Sequence, residues 1–359
     1  MSRKEALILV VFFLSFIGVM MVLSASYVKA LDKFGNGFFY FKKQAGFVVG
    51  GFLLMGMASL IRPSFYYRIS YLSLILLIVL LILVFAPGIG VKINGAYRWI
   101  KIGGWTFQPS EYAKIALVLS LGRFFSTHPE GWKKYIVPLL AYLPLGILLF
   151  KEPDMGTAAF LFVVTLTACF IGGFSLKSLL AILTGATVLF CGYFVLNKNN
   201  LEKKSRIVAF LNPEEYKKEK GYQILQSLYA IGAGGLTGAG LGEGRAKLHY
   251  LPEPFTDYIF AVIGEEMGFI GTFSVIGLFA WLFILGVKIS LSASEPFIAL
   301  STFLLTFLIC FQAALHIGVT LALLPPKGIT LPFVSYGGNS IFSSFIAVGI
   351  ILSMERKNG

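Results

Sequence analysis

Acidic residues, cysteine and histidine are all scarce in this chain. Of 359 residues only 17 are Asp or Glu, 3 are Cys and 3 are His, and charged residues of both signs make up 13%. A soluble domain carries about 25% charged and about 45–50% apolar residues; here 57% are hydrophobic. That leaves too little polar surface to cover a soluble particle, so lipid is the solvent for most of the chain. Cys169, Cys191 and Cys310 lie inside apolar runs, and their odd number argues against a disulfide framework. His128, His249 and His316 are scattered, so no zinc-ligand spacing exists. A fixed-period repeat is missing too, which argues against a solenoid. The formal charge of +13 would suggest nucleic acid in a soluble protein. With no basic helix or aromatic-basic platform, nucleic acid is set aside; in a membrane protein Lys and Arg orient loops or meet anionic lipid.

What the chain has in quantity is long apolar runs. Stretches able to span a bilayer fall at 6–28, 44–61, 68–87, 109–126, 135–150, 157–174, 178–196, 257–287, 295–322 and 333–354. The expectation is an all-α polytopic membrane protein with about ten transmembrane helices. Arg3 and Lys4 before the first run imitate a signal peptide. The run exceeds an h-region and further spans follow, so it reads as a first transmembrane helix that stays attached.

An even number of spans puts both termini on one side, and the basic ends (Arg3 and Lys4; Arg356 and Lys357) favour the cytoplasm. The loops then give little support. Arg62, Arg68, Arg123, Lys133, Lys134, Lys177 and Lys288 fall inside; Lys29, Lys33, Lys42, Lys43, Lys92, Arg98, Lys101, Lys151 and Lys327 fall outside. Either the topology is wrong or positive charge is kept outside for an anionic head group, and the second reading is preferred. The long loop 197–256, between helices 7 and 8, is then extracytoplasmic. It opens on a charged stretch, 197–220, expected to hold a short amphipathic helix, and continues into the glycine-rich stretch 232–244. No strand precedes those glycines and no Gly-Lys-Ser/Thr follows them, so they are a closely packed re-entrant or surface segment rather than a phosphate loop.

An ionised side chain at the bilayer centre costs on the order of 2.5–3.5 kcal/mol on insertion scales, so the few charges near span ends need a reason. Gly95-Ala-Tyr-Arg98-Trp-Ile precedes Gln108-Pro-Ser-Glu111-Tyr-Ala-Lys114. Pro109 suits a first helical turn. Glu111 and Lys114 share a helix face, either as a structural ion pair or as a cavity wall. In Lys151-Glu-Pro-Asp154-Met-Gly-Thr157, Asp154 is a helix cap or a site residue. Leu251-Pro-Glu253-Pro-Phe-Thr256-Asp257 leads into a long apolar helix that also carries Glu265 and Glu266. There Thr256 or Asp257 can cap the helix, and Asp257, kept ionised at a helix start, can act as a general base. The stretch 323–340, with Lys327 and Ser335, carries prolines and glycines at membrane depth. Such irregular backbone is tolerated only where it lines a cavity or is buried in protein.

Together these motifs resemble the SEDS family (shape, elongation, division and sporulation proteins), and the likeness covers essentially the whole chain as one SEDS-type membrane domain, 1–359. The stretch from Lys327 to Phe333 and the segment around Leu23 to Gln44 resemble the division branch (FtsW-like) more than the elongation branch (RodA-like). His316 and Asn339 depart from the family pattern. The resemblance implies a peptidoglycan glycosyltransferase that polymerises lipid II by inverting transfer from undecaprenyl pyrophosphate, with Asp257 as catalytic base. Arg98, Glu111, Lys114, Asp154, Lys327 and Ser335 are the expected substrate-binding residues. A pyrophosphate leaving group needs positive charge rather than an acid, from Arg98, Lys114 and Lys327 or from a divalent cation, Mg or Mn; no cofactor is certain. The implied partners are lipid II, nascent glycan, a class B penicillin-binding protein, other divisome or elongasome membrane proteins and membrane lipid. A lipid II flippase and a non-catalytic division scaffold are the rival readings.

Overall fold

The structure is a computed structural model and describes residues 1–93, 95–196, 208–216 and 221–356. Ten helices stand on the ten apolar runs: α1 (Arg3–Phe34), α2 (Phe39–Leu60), α3 (Pro63–Leu83), α4 (Pro109–Ser126), α5 (Gly131–Lys151), α6 (Met155–Ile171), α7 (Leu176–Leu196), then, after the short α8 (Gly221–Gly234), α9 (Ile259–Leu291), α10 (Pro296–Thr320) and α11 (Gly338–Arg356). Seven of these are long and apolar enough to cross a membrane. The chain is a multi-pass, all-α membrane protein. Among the other spans, α6 is shorter and α4 carries Glu111, Lys114 and Arg123. Most of the expected amphipathic stretch 197–220, together with Asn94 and Lys357, lies outside the described residues.

Local chemistry explains the ends. Ser2 and Glu5 form a reciprocal capping box at the start of α1, and Gly35 closes it in the left-handed conformation at φ 64°. Pro109 occupies the first turn of α4 as expected. A small antiparallel sheet, not anticipated from the sequence, connects α3 to α4: β1 (Gly90–Ile93), β2 (Ala96–Ile102) and β3 (Trp105–Phe107), in the order β1-β2-β3.

The chain divides into two compact units. The first comprises Met1–Gly51, Leu183–Leu282 and Ile309–Ile341; the second comprises Phe52–Ile182, Phe283–Leu308 and Phe342–Gly359. In the first unit the core includes Leu7, Leu14, Met21, Phe260 and Phe333, all essentially inaccessible. In the second it includes Leu81, Leu117, Leu121, Leu145, Leu149, Leu161 and Phe345.

The first unit contains the main irregularity. Helix α9 is broken at Gly268, whose φ of 63° and ψ of −159° are non-helical. A break in a span frees backbone groups that lipid cannot satisfy, and the glycine-rich stretch after α8 supplies their partners. Ala239 and Gly240 donate to the carbonyls of Glu265 and Glu266 at 2.9 and 3.1 Å. Phe269 and Ile270 donate to the carbonyls of Gly235 and Leu236 at 2.9 and 3.2 Å. The stretch is thus a strap spliced into the break, which accounts for its composition. Gly238 has φ 85°, and a Cβ on either Gly238 or Gly268 would run into the backbone of the opposite segment.

Candidate active site

In the first unit, the segment 251–257 folds against the irregular stretch 321–337. Ser335 is the bracket: its hydroxyl donates to the Thr256 carbonyl at 2.6 Å and accepts from the Leu331 N–H at 2.8 Å. Tyr336 N–H donates to the Phe255 carbonyl at 2.9 Å, and the Phe255 ring packs against Tyr40 and Tyr336. Glu253 reaches Lys29 at 2.9 Å. Three non-glycine residues here lie in the left-handed region, Glu253 at φ 48°, Ala322 at φ 54° and Phe333 at φ 65°. Such conformations cost on the order of 1–3 kcal/mol each and persist only where the surroundings dictate them.

Asp257 is half-buried in this turn. A Cβ built on Gly328 would stand 2.8 Å from its Oδ2, so the carboxylate lies almost against the Gly328 backbone, next to Lys327. The turn is closed by the Asp257 N–H donating to the Glu253 carbonyl at 3.2 Å. Helix α9 begins only at Ile259, and its first N–H groups, from Ala261 and Val262, donate to Tyr258. The N-cap position therefore belongs to Tyr258, and neither Thr256 nor Asp257 starts the helix as the sequence suggested.

Irregular backbone elsewhere in 321–337 is satisfied by side chains. Gln312 donates to the Thr330 carbonyl at 3.0 Å, His316 Nδ1 lies 2.6 Å from the Ile329 carbonyl, and Gln44 reaches the Val334 and Ser335 carbonyls. His316 is thus a buried prop for this segment. A cavity of about 550 Å³ also lies in this unit, between α1 and the strap; Ser24, Arg245 and Lys247 line it, and Asp257 does not.

In the second unit the expected residues serve one another. Arg98 donates from Nε to the Glu152 carbonyl at 3.1 Å and from Nη2 to the Pro153 carbonyl at 2.9 Å, tying β2 to the turn between α5 and α6. Asp154 is the N-cap of α6, accepting the Thr157 N–H at 3.2 Å. Lys114 pairs with Glu111 at 2.8 Å, and Ser343 donates to the same carboxylate at 3.1 Å.

Glu152, not singled out from the sequence, is fully buried, and neither carboxyl oxygen has a hydrogen-bond partner. Burial, and secondarily the Asp154 carboxylate, push its pKa up to about 8 against the opposing pull of Arg98. Spacing could not tell which of Glu152 and Asp154 turns inward. Lys247 and Ser24 were also missed, because each meets its partners only across long sequence separations.

Among the described residues no three or more His, Cys, Asp or Glu side chains converge on a point where a metal ion could sit.

Comparison with known proteins supplies the wider context. The family described as "Cell cycle protein", which joins FtsW, RodA and SpoVE, matches residues 4–359. The probable peptidoglycan glycosyltransferase FtsW of Geobacter sulfurreducens is 39% identical over 350 residues, covering 95% of this chain and 91% of that one. Stage V sporulation protein E of Bacillus subtilis is 35% identical over 359 residues, covering 99% and 97%. Among solved structures, a chain of a peptidoglycan synthase complex, described as coordinating polymerization and crosslinking, superposes with a TM-score of 0.82 at 25% identity, covering 98% and 97%.

Proposed function

The chain belongs to the SEDS family of cell cycle proteins, and from that premise we propose that it is a membrane-embedded peptidoglycan glycosyltransferase polymerising lipid II. The observation that carries the proposal is the presentation of Asp257. Its carboxylate is neither lost into the core nor used to start α9; Ser335 and Tyr336 brace the backbone just before it, at the Thr256 and Phe255 carbonyls, and Gly328 closely approaches the carboxylate itself. A base must be placed before its pKa matters, and this turn is the most heavily braced irregular backbone around any of the expected site residues.

The proposed reaction is an inverting transfer. Asp257 accepts the proton of the acceptor sugar hydroxyl as that oxygen attacks the anomeric carbon of the donor, and the bond from that carbon to undecaprenyl pyrophosphate breaks. The leaving group departs as an anion, so cationic stabilisation suffices. Lys327, adjoining Gly328, is the proposed source in the first unit. In the second unit, Arg98 and Lys114 are proposed to hold anionic substrate groups with Glu111 and Asp154 as their supports; their existing bonds make them positioned cations rather than mobile ones. A divalent cation, Mg or Mn, would arrive as the counter-ion of pyrophosphate, because Mg is commonly held by one or two carboxylates plus phosphate oxygens.

The single membrane domain, 1–359, is proposed to place both termini in the cytoplasm and Asp257 on the extracytoplasmic face, where the loop cations kept outside meet the anionic head group. A class B penicillin-binding protein is the proposed partner, in keeping with the synthase complex that the fold resembles; division is favoured over elongation by the FtsW and sporulation relatives. A flippase reading draws on the broken helix α9. That break, however, is filled by the strap, whose backbone takes up the groups an ion or substrate would otherwise meet.

The deciding experiment is the purified full chain with its partner and fluorescent lipid II. Glycan ladders that disappear in Asp257→Asn support the enzyme. Unchanged ladders in that variant remove Asp257 as the base, and no ladder from wild type returns the question to transport or scaffolding.

A further inference from the structure

Below the Asp257 turn, in the same unit, lies a buried polar cluster to which the proposed reaction assigns no part. Lys247 Nζ lies 2.7 Å from Glu266 Oε1, and the Glu266 side chain is completely buried. Ser24 of α1 donates to both Glu266 oxygens at 2.7 and 2.8 Å and accepts from Lys247 at 2.8 Å. Lys247 also donates to the Gly242 carbonyl at 2.6 Å, and the Gly242 N–H returns to Glu266 Oε2 at 3.0 Å. The neighbouring Glu265 accepts the N–H groups of Arg245 at 2.7 Å and Ala246 at 3.1 Å. These two N–H groups begin the π-helical turn Ala246–Tyr250.

The topology of these bonds matters more than their number. Lys247 and Glu265 bound the stretch 247–265, and Asp257 lies midway along it. The bonds join the two ends of that stretch to each other, and Ser24 joins both to α1. Asp257 therefore stands at the tip of a closed loop whose base is clasped. Stability alone does not require the clasp, since a buried ion pair is often no more stabilising than apolar residues of like volume. What it provides is direction: a carboxylate bonded at four points fixes where the strap leaves α9 and where the chain re-enters it. Displacing a reacting group by about 1 Å can cost about 10²-fold in rate.

We propose that Lys247, Glu266, Glu265 and Ser24 form a positioning clasp that sets the placement of Asp257 for glycan transfer. The inference rests on Asp257 being the base, and these four residues act through it without touching substrate.

The test uses the full chain with its partner and fluorescent lipid II, comparing wild type with the double variant Lys247→Met/Glu266→Leu. That variant removes the pair without stranding a buried charge, so the melting temperature is expected to stay within a few degrees. The kcat is expected to fall about tenfold or more while KM for lipid II changes less than about threefold. Ser24→Ala should lower kcat about threefold with the ion pair intact, and Ser24→Thr, which keeps the hydroxyl, should restore it. If the double variant fails to fold, the Ser24 pair decides. A folded double variant with wild-type kcat, a change confined to KM, or an unaffected Ser24→Ala overturns the clasp. Wild type that makes no glycan overturns the enzymatic reading and the clasp with it, whereas active wild type beside an equally active double variant overturns the clasp alone.

Discussion

Two turns in this protein look alike in sequence and behave differently in the fold. Glu152-Pro-Asp154 leads into α6, and Glu253-Pro-Phe-Thr-Asp257 leads into α9. At the first, the aspartate caps its helix, Arg98 ties down the turn carbonyls, and the glutamate is buried. At the second, the helix starts two residues late, a tyrosine takes the capping place, and the glutamate faces outward to Lys29. A carboxylate whose bonding is spent on its own helix end is a structural part. The second aspartate is half-buried in a turn that Ser335 and Tyr336 brace through the Thr256 and Phe255 carbonyls.

The largest effect expected from this contrast is at Asp257 itself. Asp257→Asn should reduce lipid II polymerisation by about 10²–10⁴-fold, the usual contribution of a general base, with little change in melting temperature. Asp154→Asn, which retains a capping oxygen, should leave most of the activity; equal losses in both would erase the distinction between the turns.

Gly328→Ala comes next. Its new Cβ would meet Asp257 Oδ2 at 2.8 Å, closer than normal van der Waals contact, so the carboxylate must move. A fall in kcat of about tenfold is expected, and a variant as active as wild type would show that the carboxylate's position tolerates more than the bracing suggests.

Arg98→Ala should lower stability and also raise KM for lipid II. It removes two charge-assisted bonds to the α5–α6 turn, a loss of about 1.5–3 kcal/mol, readable as a lower melting temperature in detergent. A lower melting temperature with unchanged KM for lipid II would make Arg98 a structural tie and remove it from the proposed substrate contacts.

The last prediction concerns Glu152 and pH and is read as a slope rather than a loss of activity. Its folded-state pKa, about 8, is raised above the ordinary carboxylate value of 4.5. The folded protein therefore keeps a proton that the unfolded chain gives up. The contribution is whole below pH 4.5 and is lost as pH rises through about 8. Wild type should melt progressively earlier across that window, and Glu152→Gln should flatten the slope. Parallel profiles for the two would mean that Glu152 is ionised in the fold.

Much of this was legible in the sequence, for identifiable reasons. Hydrophobic runs located ten helices, seven of them long and apolar enough to cross a membrane among the described residues, because lipid leaves the backbone few options. Pro109 and the Glu111–Lys114 spacing marked the start and one face of α4, since both act within a helical turn. Helix boundaries shifted where apolar character and helix did not coincide, as at 333–337, which is apolar in part yet irregular. The sheet at 90–107 escaped notice because its strands are short and its turns carry few signals beyond glycine.

The sequence by itself determined the solvent, the places of the apolar helices and the family, because composition and ordered motifs are properties of the chain read in line. Only the tertiary structure decided what each carboxylate meets. Asp154 became a cap through a neighbour three residues away. Asp257 took its place from Ser335 and Gly328, and Glu266 took its role from Ser24 and Lys247. Burial and hydrogen-bond partners arise from segments far apart in the chain, and they, rather than residue type, determine what a buried charge does.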